Sequence, residues 1–455
     1  LTIFMTDALI FGAVPKGTLW KTVDGAMAVA FLMLFTRIYD ALNDPIMGSI
    51  VDKTRTKWGK CRPFLKWMAI PIAISTIVCF CPFFKSESKT TFVIISIVYV
   101  IWSMVYTVAD VPYWGLSTCL TNDTEVRGKI LTVARLVCTL GAGIVTVFVP
   151  IITNAVTAKY RDDNGEVLSQ YVQQNADTLK WTYFICAAVL VIIAIPMFFY
   201  GFKNTKERFT TTEEPPSFVH NIKLLFKNKQ LLLIVLSGVL GGARMVYAYT
   251  GGLYFAKYVL KNEGLFSLIT MLVVPGGLVA SVLVPWMSKK FTKKWTYIYV
   301  HILGAVVMFA MYFVGYDAPW KLVFCAVGLV LLGIPQGVNN IITYAMIGDT
   351  VDYLEWKTGE RAEGICFAMQ TLINKIGMAI GAFIGVFSYS WAGINPKATP
   401  AISPEGESLL WNILILAGAI SMVGTIIPMF FYKITEKKQR EMVAEIEEKK
   451  AAKTK

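Results

Sequence analysis

Stretches of about twenty mostly apolar residues recur along the whole of this chain, separated by short polar segments. Nothing else constrains the fold as much. A helix of that length and composition matches the hydrocarbon thickness of a bilayer, where every backbone amide must be satisfied within its own span. Eleven spans are read, at 22–50, 64–84, 90–119, 129–155, 180–202, 231–260, 264–287, 295–316, 319–347, 364–391 and 409–432. Residues 1–14 are apolar but too short, and the chain opens in mid-run without an initiator Met. They read as the remainder of a clipped first span. A signal peptide would need a basic start and a small-residue cleavage site, and both are missing. Of the 455 residues, 55% are hydrophobic and 16% charged, too little charge for a soluble chain of this length.

The net charge of +13 does not point to nucleic acid, because the basic residues concentrate in alternate loops. One set holds Lys53, Arg55, Lys57, Lys60, Arg62 and Lys66, then Lys203, Lys206 and Arg208 with Lys223, Lys227 and Lys229. Lys289, Lys290, Lys293 and Lys294 follow, and the tail from Lys433 is again Lys-rich. The opposite loops, around 161–166 and 403–408, carry more acid. The positive-inside rule assigns the basic set and the C-terminus to the cytoplasm, and the chain is expected in a plasma (inner) membrane. The eight Cys lack metal-ligand spacing and read as apolar fillers, with no structural metal. Walker, nucleophile-elbow and zinc motifs are missing and only two His are present, so the chain reads as no enzyme and without a cofactor.

The longest basic stretch, 203–230, contains Pro215 and Pro216 and an amphipathic surface segment, 218–226. It divides the chain into a first bundle, 1–202, and a second, 231–432, with a charged tail, 433–455. A weak internal repeat supports two halves. Arg135 lies six residues before Gly141, and Lys375 six before Gly381. Two six-span halves with a site at their interface is a common transporter plan.

The chemistry lies inside the apolar spans. Asp40, Asn43 and Asp44 fall within about 100° on one helix face. An unpaired charge at the bilayer centre costs at least about 2.5–3.5 kcal/mol, so such acids imply a positive partner. Arg37, one turn earlier, can pair with Asp40. Two acids and an amide exceed what one Arg needs, and oxygen ligands suit Na⁺ or H⁺. The alternative is a structural Arg–Asp pair with Asn43 at a kink, because Pro45 frees the carbonyl of Ala41. The fourth span repeats the logic. Thr107 is one turn before Asp110, and Tyr106 and Trp114 flank it at minus and plus four. A carboxylate between rings suits a sugar, whose hydroxyls donate and whose C–H face packs on aromatics. Interfacial aromatics with a structural acid are the plainer reading. Arg135 and Lys375 either bind substrate or neutralise these acids. Arg244 among Gly241 and Gly242 is open, and Asp7, Asp24 and His301 read as interfacial.

The strings 37–45, 52–60, 110–114 and 348–359 closely resemble the glycoside–pentoside–hexuronide:cation symporters, the melibiose-permease-like branch of the major facilitator superfamily. The resemblance covers almost the whole chain. It implies an all-α twelve-helix transporter, two six-helix bundles around a central cavity. It implies a cation site at Asp40, Asn43, Asp44, Thr107 and Asp110. A sugar site follows at Tyr106, Asp110, Trp114 and Arg135, with Thr371 and Lys375 from the eleventh span. Asp110 in both would couple them. The charged segments suggest a latch between halves at Asp52, Arg55, Arg62, Arg127, Asp349, Asp352, Glu355 and Arg361, although charge at a membrane surface can serve topology alone. The family's first-span sugar acid should lie upstream of Leu1, and Asn340 stands where the tenth span has an aromatic. The expected function is symport of a sugar or glycoside with Na⁺ or H⁺. The alternatives are a carrier of another amphipathic or lipid-like solute, and a non-transporting membrane sensor.

Overall fold

A computed structural model describes residues 1–455 other than 17, 20–22, 121–123, 163–166, 209–217, 361–362 and 455. Among these the elements are helices. They are α1 (Gly25–Lys53), α2 (Arg62–Cys79), α3 (Lys89–Leu120), α4 (Thr124–Thr157) and α5 (Val172–Asn204), then α6 (Phe218–Lys227), α7 (Lys229–Leu240) and α8 (Thr250–Tyr254). There follow α9 (Leu265–Val314), α10 (Pro319–Thr358), α11 (Glu363–Trp391), α12 (Pro404–Phe431) and α13 (Glu436–Thr454). Ten helical stretches among the described residues are long and apolar enough to cross a membrane.

Local chemistry sets the ends. Asp24 caps α1 by accepting from the Met27 amide at 2.7 Å. Pro319 opens α10, where its missing N–H would go unused, and Gly359 at φ 75° closes it with its amide on the Glu355 carbonyl. The 50 residues of α9 would extend about 75 Å if straight, more than twice a hydrocarbon core. The backbone breaks at Thr292 (φ 64°, ψ 158°), so α9 is two spans joined tightly, matching 264–287 and 295–316 of the sequence.

The span expected at 231–260 is not one continuous helix. After α7 the chain makes a 3-10 stretch, Gly242–Ala248, then α8, then a π-helical turn, Phe255–Val259. Four glycines lie at 241, 242, 251 and 252, each weakening the helix. They also allow close packing: a Cβ on Gly242 would sit 3.2 Å from the Cα of Gly377, and one on Gly385 2.6 Å from the amide nitrogen of Gly251. Small residues letting backbones touch are the usual membrane seam. Arg244 sits in this break, its guanidinium donating to the Gly241 carbonyl at 2.8 Å.

The chain forms two compact units. The first is Leu1–Pro215 with two later segments, Tyr254–Ser267 and Tyr389–Glu407; the second is Pro216–Leu253, Leu268–Ser388 and Ser408–Lys455. In the first, α1, α2, α3 and α5 pack together, with Met47, Val51, Cys61, Leu65, Leu116 and Cys119 buried against one another. In the second, a larger core runs from Leu231 to Tyr432 and takes in Leu224 of α6 and Met442 of α13. The tail expected only as a charged segment is thus a docked helix: Trp356 donates to Glu445 at 2.6 Å and Gln439 to Asp352 at 2.8 Å. Large apolar side chains such as Phe35, Ile192, Val282 and Phe313 point outward, as lipid-facing positions should.

Candidate functional site

The acids of α1 meet α3 inside the first unit. Asp40 is buried at 3% exposure, and the Thr107 hydroxyl donates to its Oδ1 at 2.5 Å. Its Oδ2 lies 3.8 Å from the Arg37 guanidinium, which is one-third exposed. One carboxylate therefore joins two helices, and the Arg37 cation beside it reaches toward water. Asn43 and Asp44, one turn on, are half-buried. Thr36, one turn earlier, is 2% exposed and its hydroxyl has no hydrogen-bond partner, and nothing along the chain singles it out. A lone Thr in an apolar run carries no signature; only the depth of burial reveals it.

Asp110 lies one turn beyond Thr107 on α3 and is half-buried, accepting from the Trp114 indole N–H at 3.2 Å. Tyr106 is 43% exposed and stacks on Trp102 at 5.4 Å, which stacks in turn on Tyr99 at 5.9 Å. Trp102 is fixed by its N–H on Thr76 at 2.9 Å. The aromatic pair expected around Asp110 is thus asymmetric. Trp114 is held by the acid, and Tyr106 ends a ring ladder along α3.

In the second unit, α11 carries Thr371, exposed, and Lys375, half-buried, two residues before the Gly377 contact. Asn340 on α10 is exposed and accepts from Gln336 at 3.3 Å. The side chains of Asp52, Arg127 and Arg135, and the whole of Arg361, lie outside the described residues.

Of the remaining latch candidates, Arg55, Arg62, Asp349 and Asp352 make contacts within their own units. Arg62 donates to the Phe202 carbonyl at 2.7 Å and lies over the Phe202 ring. Glu207 accepts from the amides of Lys60, Cys61 and Arg62 at 2.8–2.9 Å, capping α2. Arg55 is exposed and bonds the Thr54 carbonyl. Cys61, Cys119 and Glu207 lie within 4.8 Å of one another. The Cys61 thiol, hydrogen-bonded to Cys119 and buried, is raised above its ordinary range, and the carboxylate is committed to three amides. This trio holds loop to helix. In the second unit Lys293, beside the α9 break, clasps Asp349 at 2.6 and 2.7 Å, while its amide donates to Glu436 of α13. Glu355 is 7% exposed.

Two residues read as interfacial are buried within the protein. Asp7 is 4% exposed and bonded to Lys257 and Tyr258. His301 is fully buried, with Nδ1 2.8 Å from the Tyr297 carbonyl. Both lie among chain segments that hydropathy along the sequence cannot reveal.

These spans and this helical order define a multi-pass membrane transporter of the major-facilitator fold. A D-xylose-proton symporter structure matches with a TM-score of 0.57 at 15% identity, over 93% of this chain and 96% of that one. The nucleoside transporter NupG matches at 0.57 and 14%, over 95% and 98%. The chain belongs to the MFS/sugar transport protein family, whose model matches residues 4–436. Similar sequences include a glucuronide carrier protein homolog of Escherichia coli K12, 28% identical over 427 residues, 94% of this chain and 88% of that one. The isoprimeverose transporter of Lactiplantibacillus pentosus is 27% identical over 433 residues, 94% and 85%.

Proposed function

We propose that this chain carries a sugar or glycoside across a plasma membrane together with Na⁺ or H⁺, alternating between outward- and inward-facing states. The observation that carries the reading is the buried Asp40 carboxylate, bonded by Thr107 and flanked by Asn43 and Asp44. Oxygens of that kind at membrane depth are expensive unless a positive species visits them. Asp40, Asn43, Asp44, Thr107 and Asp110 form the cation site. Asp110, with Tyr106, Trp114 and Arg135, takes the sugar, and Thr371 and Lys375 contribute from α11 in the second six-span half. Thr107 and Asp110 share one turn of α3. A cation that orders Thr107 therefore also orders the sugar acid, and each ligand raises the other's affinity by the same factor. The glycoside and pentoside names among the relatives support the substrate class. The basic loops and the tail face the cytoplasm. A lipid-like cargo is disfavoured by the polar Asp110–Trp114 pair.

The test is uptake of a sugar panel into proteoliposomes under imposed Na⁺ or H⁺ gradients. Accumulation above equilibrium is expected for at least one glycoside. No accumulation under either gradient would refute the reading.

A further inference from the structure

The first unit contains two segments that come late in the chain, Tyr254–Ser267 and Tyr389–Glu407. Polar contacts, one exposed and one half-buried, fasten them at the rim. Lys397 pairs with Glu87, and Ser390 donates to Asp24 at 2.6 Å. Rim pairs of this kind contribute little. The centre differs. Lys257, 8% exposed, pairs with Asp7 and lies 3.9 Å from Glu263, which is 1% exposed. Tyr258 donates to the same Asp7 oxygen at 2.8 Å, and Thr153 donates to Glu263 at 2.8 Å. Tyr254, Tyr258 and Tyr389 cluster beside this ion pair, with centroids 4.6 and 5.7 Å from Tyr389 to the other two.

Two carboxylates share one ammonium here, and one oxygen of each, Asp7 Oδ1 and Glu263 Oε2, is buried without a hydrogen-bond partner. Water would satisfy both if the segments parted. A buried ion pair adds little net stability over apolar packing, yet losing one partner is strongly destabilising. An apolar seam would simply stay shut. This one is held by charges that have a hydrated alternative, which is what a reversible closure needs.

We propose that Asp7, Lys257 and Glu263 form the clamp of a gate on the membrane side opposite the basic loops, made in this structure and broken in the opposite-facing state. The proposal rests on the alternating-access reading above. The test uses the full chain in lipid nanodiscs, with Thr6→Cys as reporter. Thr6 is fully buried and bonds Tyr254 at 3.0 Å. Labelling by a charged, membrane-impermeant maleimide is read as the excess over the parent chain, whose eight Cys are free thiols. The reporter alone is expected to be protected. Adding Lys257→Met strands two buried carboxylates and should speed labelling by about tenfold or more. Lys257→Arg keeps the charge and should stay within about twofold of the reporter. The neutral triple, Asp7→Asn with Lys257→Met and Glu263→Gln, should be protected again because no buried charge remains. Unchanged labelling in Lys257→Met, or a triple as exposed as Lys257→Met, overturns the clamp. If Lys257→Met does not fold, Lys257→Gln, which strands the same two carboxylates but keeps a polar head, carries the same test, and unchanged labelling there overturns it too. Sugar uptake is measured on the same samples. The expected labelling pattern without any accumulation refutes the transport reading and keeps the clamp, and the reverse result does the opposite.

Discussion

Asp40→Asn is the sharpest perturbation of the candidate cation site. Asparagine keeps the shape and an oxygen that can still accept from Thr107, so the α1–α3 contact survives. Arg37 loses its partner at 3.8 Å but is one-third exposed, and water can solvate it. What disappears is the negative charge. Opposite unit charges about 3 Å apart attract by roughly 5 kcal/mol at an effective dielectric of about 20. The amide dipole and easier dehydration return part of that. One contact to a charged group is worth about 1.5–3 kcal/mol, a conservative floor that predicts a loss of about 10- to 150-fold in cation affinity. By linkage the cation's enhancement of sugar affinity should fall as well, while sugar binding without the cation is retained. The assay is equilibrium binding of a transported sugar to purified protein, at stepped Na⁺ concentrations and at two pH values. An Asp40→Asn protein that binds sugar and keeps the full cation enhancement would refute the argument.

Other outcomes follow from the same geometry. Asp110→Asn should weaken sugar and cation binding together, each by about tenfold, the equivalent of one charge-assisted hydrogen bond, and titrations of both ligands check it. Glu207→Ala should release three amides at the start of α2 and loosen 54–61, so limited trypsin digestion at Arg55 and Lys57 should accelerate; an unchanged rate argues against the cap. Gly276→Ala puts a Cβ 1.8 Å from the Val330 carbonyl oxygen, a backbone atom that cannot step aside, so stability should fall by about 1–3 kcal/mol in a thermal or denaturant melt.

The candidate site was partly legible in the sequence. Asp40 stood out because a carboxylate in an apolar run is costly wherever the helix goes. Thr107 emerged as its partner in space only because α1 and α3 pack, bringing together residues 67 apart. Thr36 and Glu207 had no signal. A single hydroxyl and a loop acid become informative only once burial and neighbours are known. Likewise, 231–260 reads as one span along the chain, and the break after α7 became visible only with the close approach of α11.

The amino-acid sequence by itself determined the spans, the charge asymmetry of the loops, the acids at membrane depth and the family pattern. Each follows from hydropathy, charge and local spacing, which act on neighbours along the chain. Tertiary structure alone decided the pairings: Thr107 with Asp40, Lys293 with Asp349, the docking of α13, and Lys257 with Asp7 across 250 residues. In a low-dielectric interior a polar group must find a partner, and which partner lies within reach is set by how the helices pack.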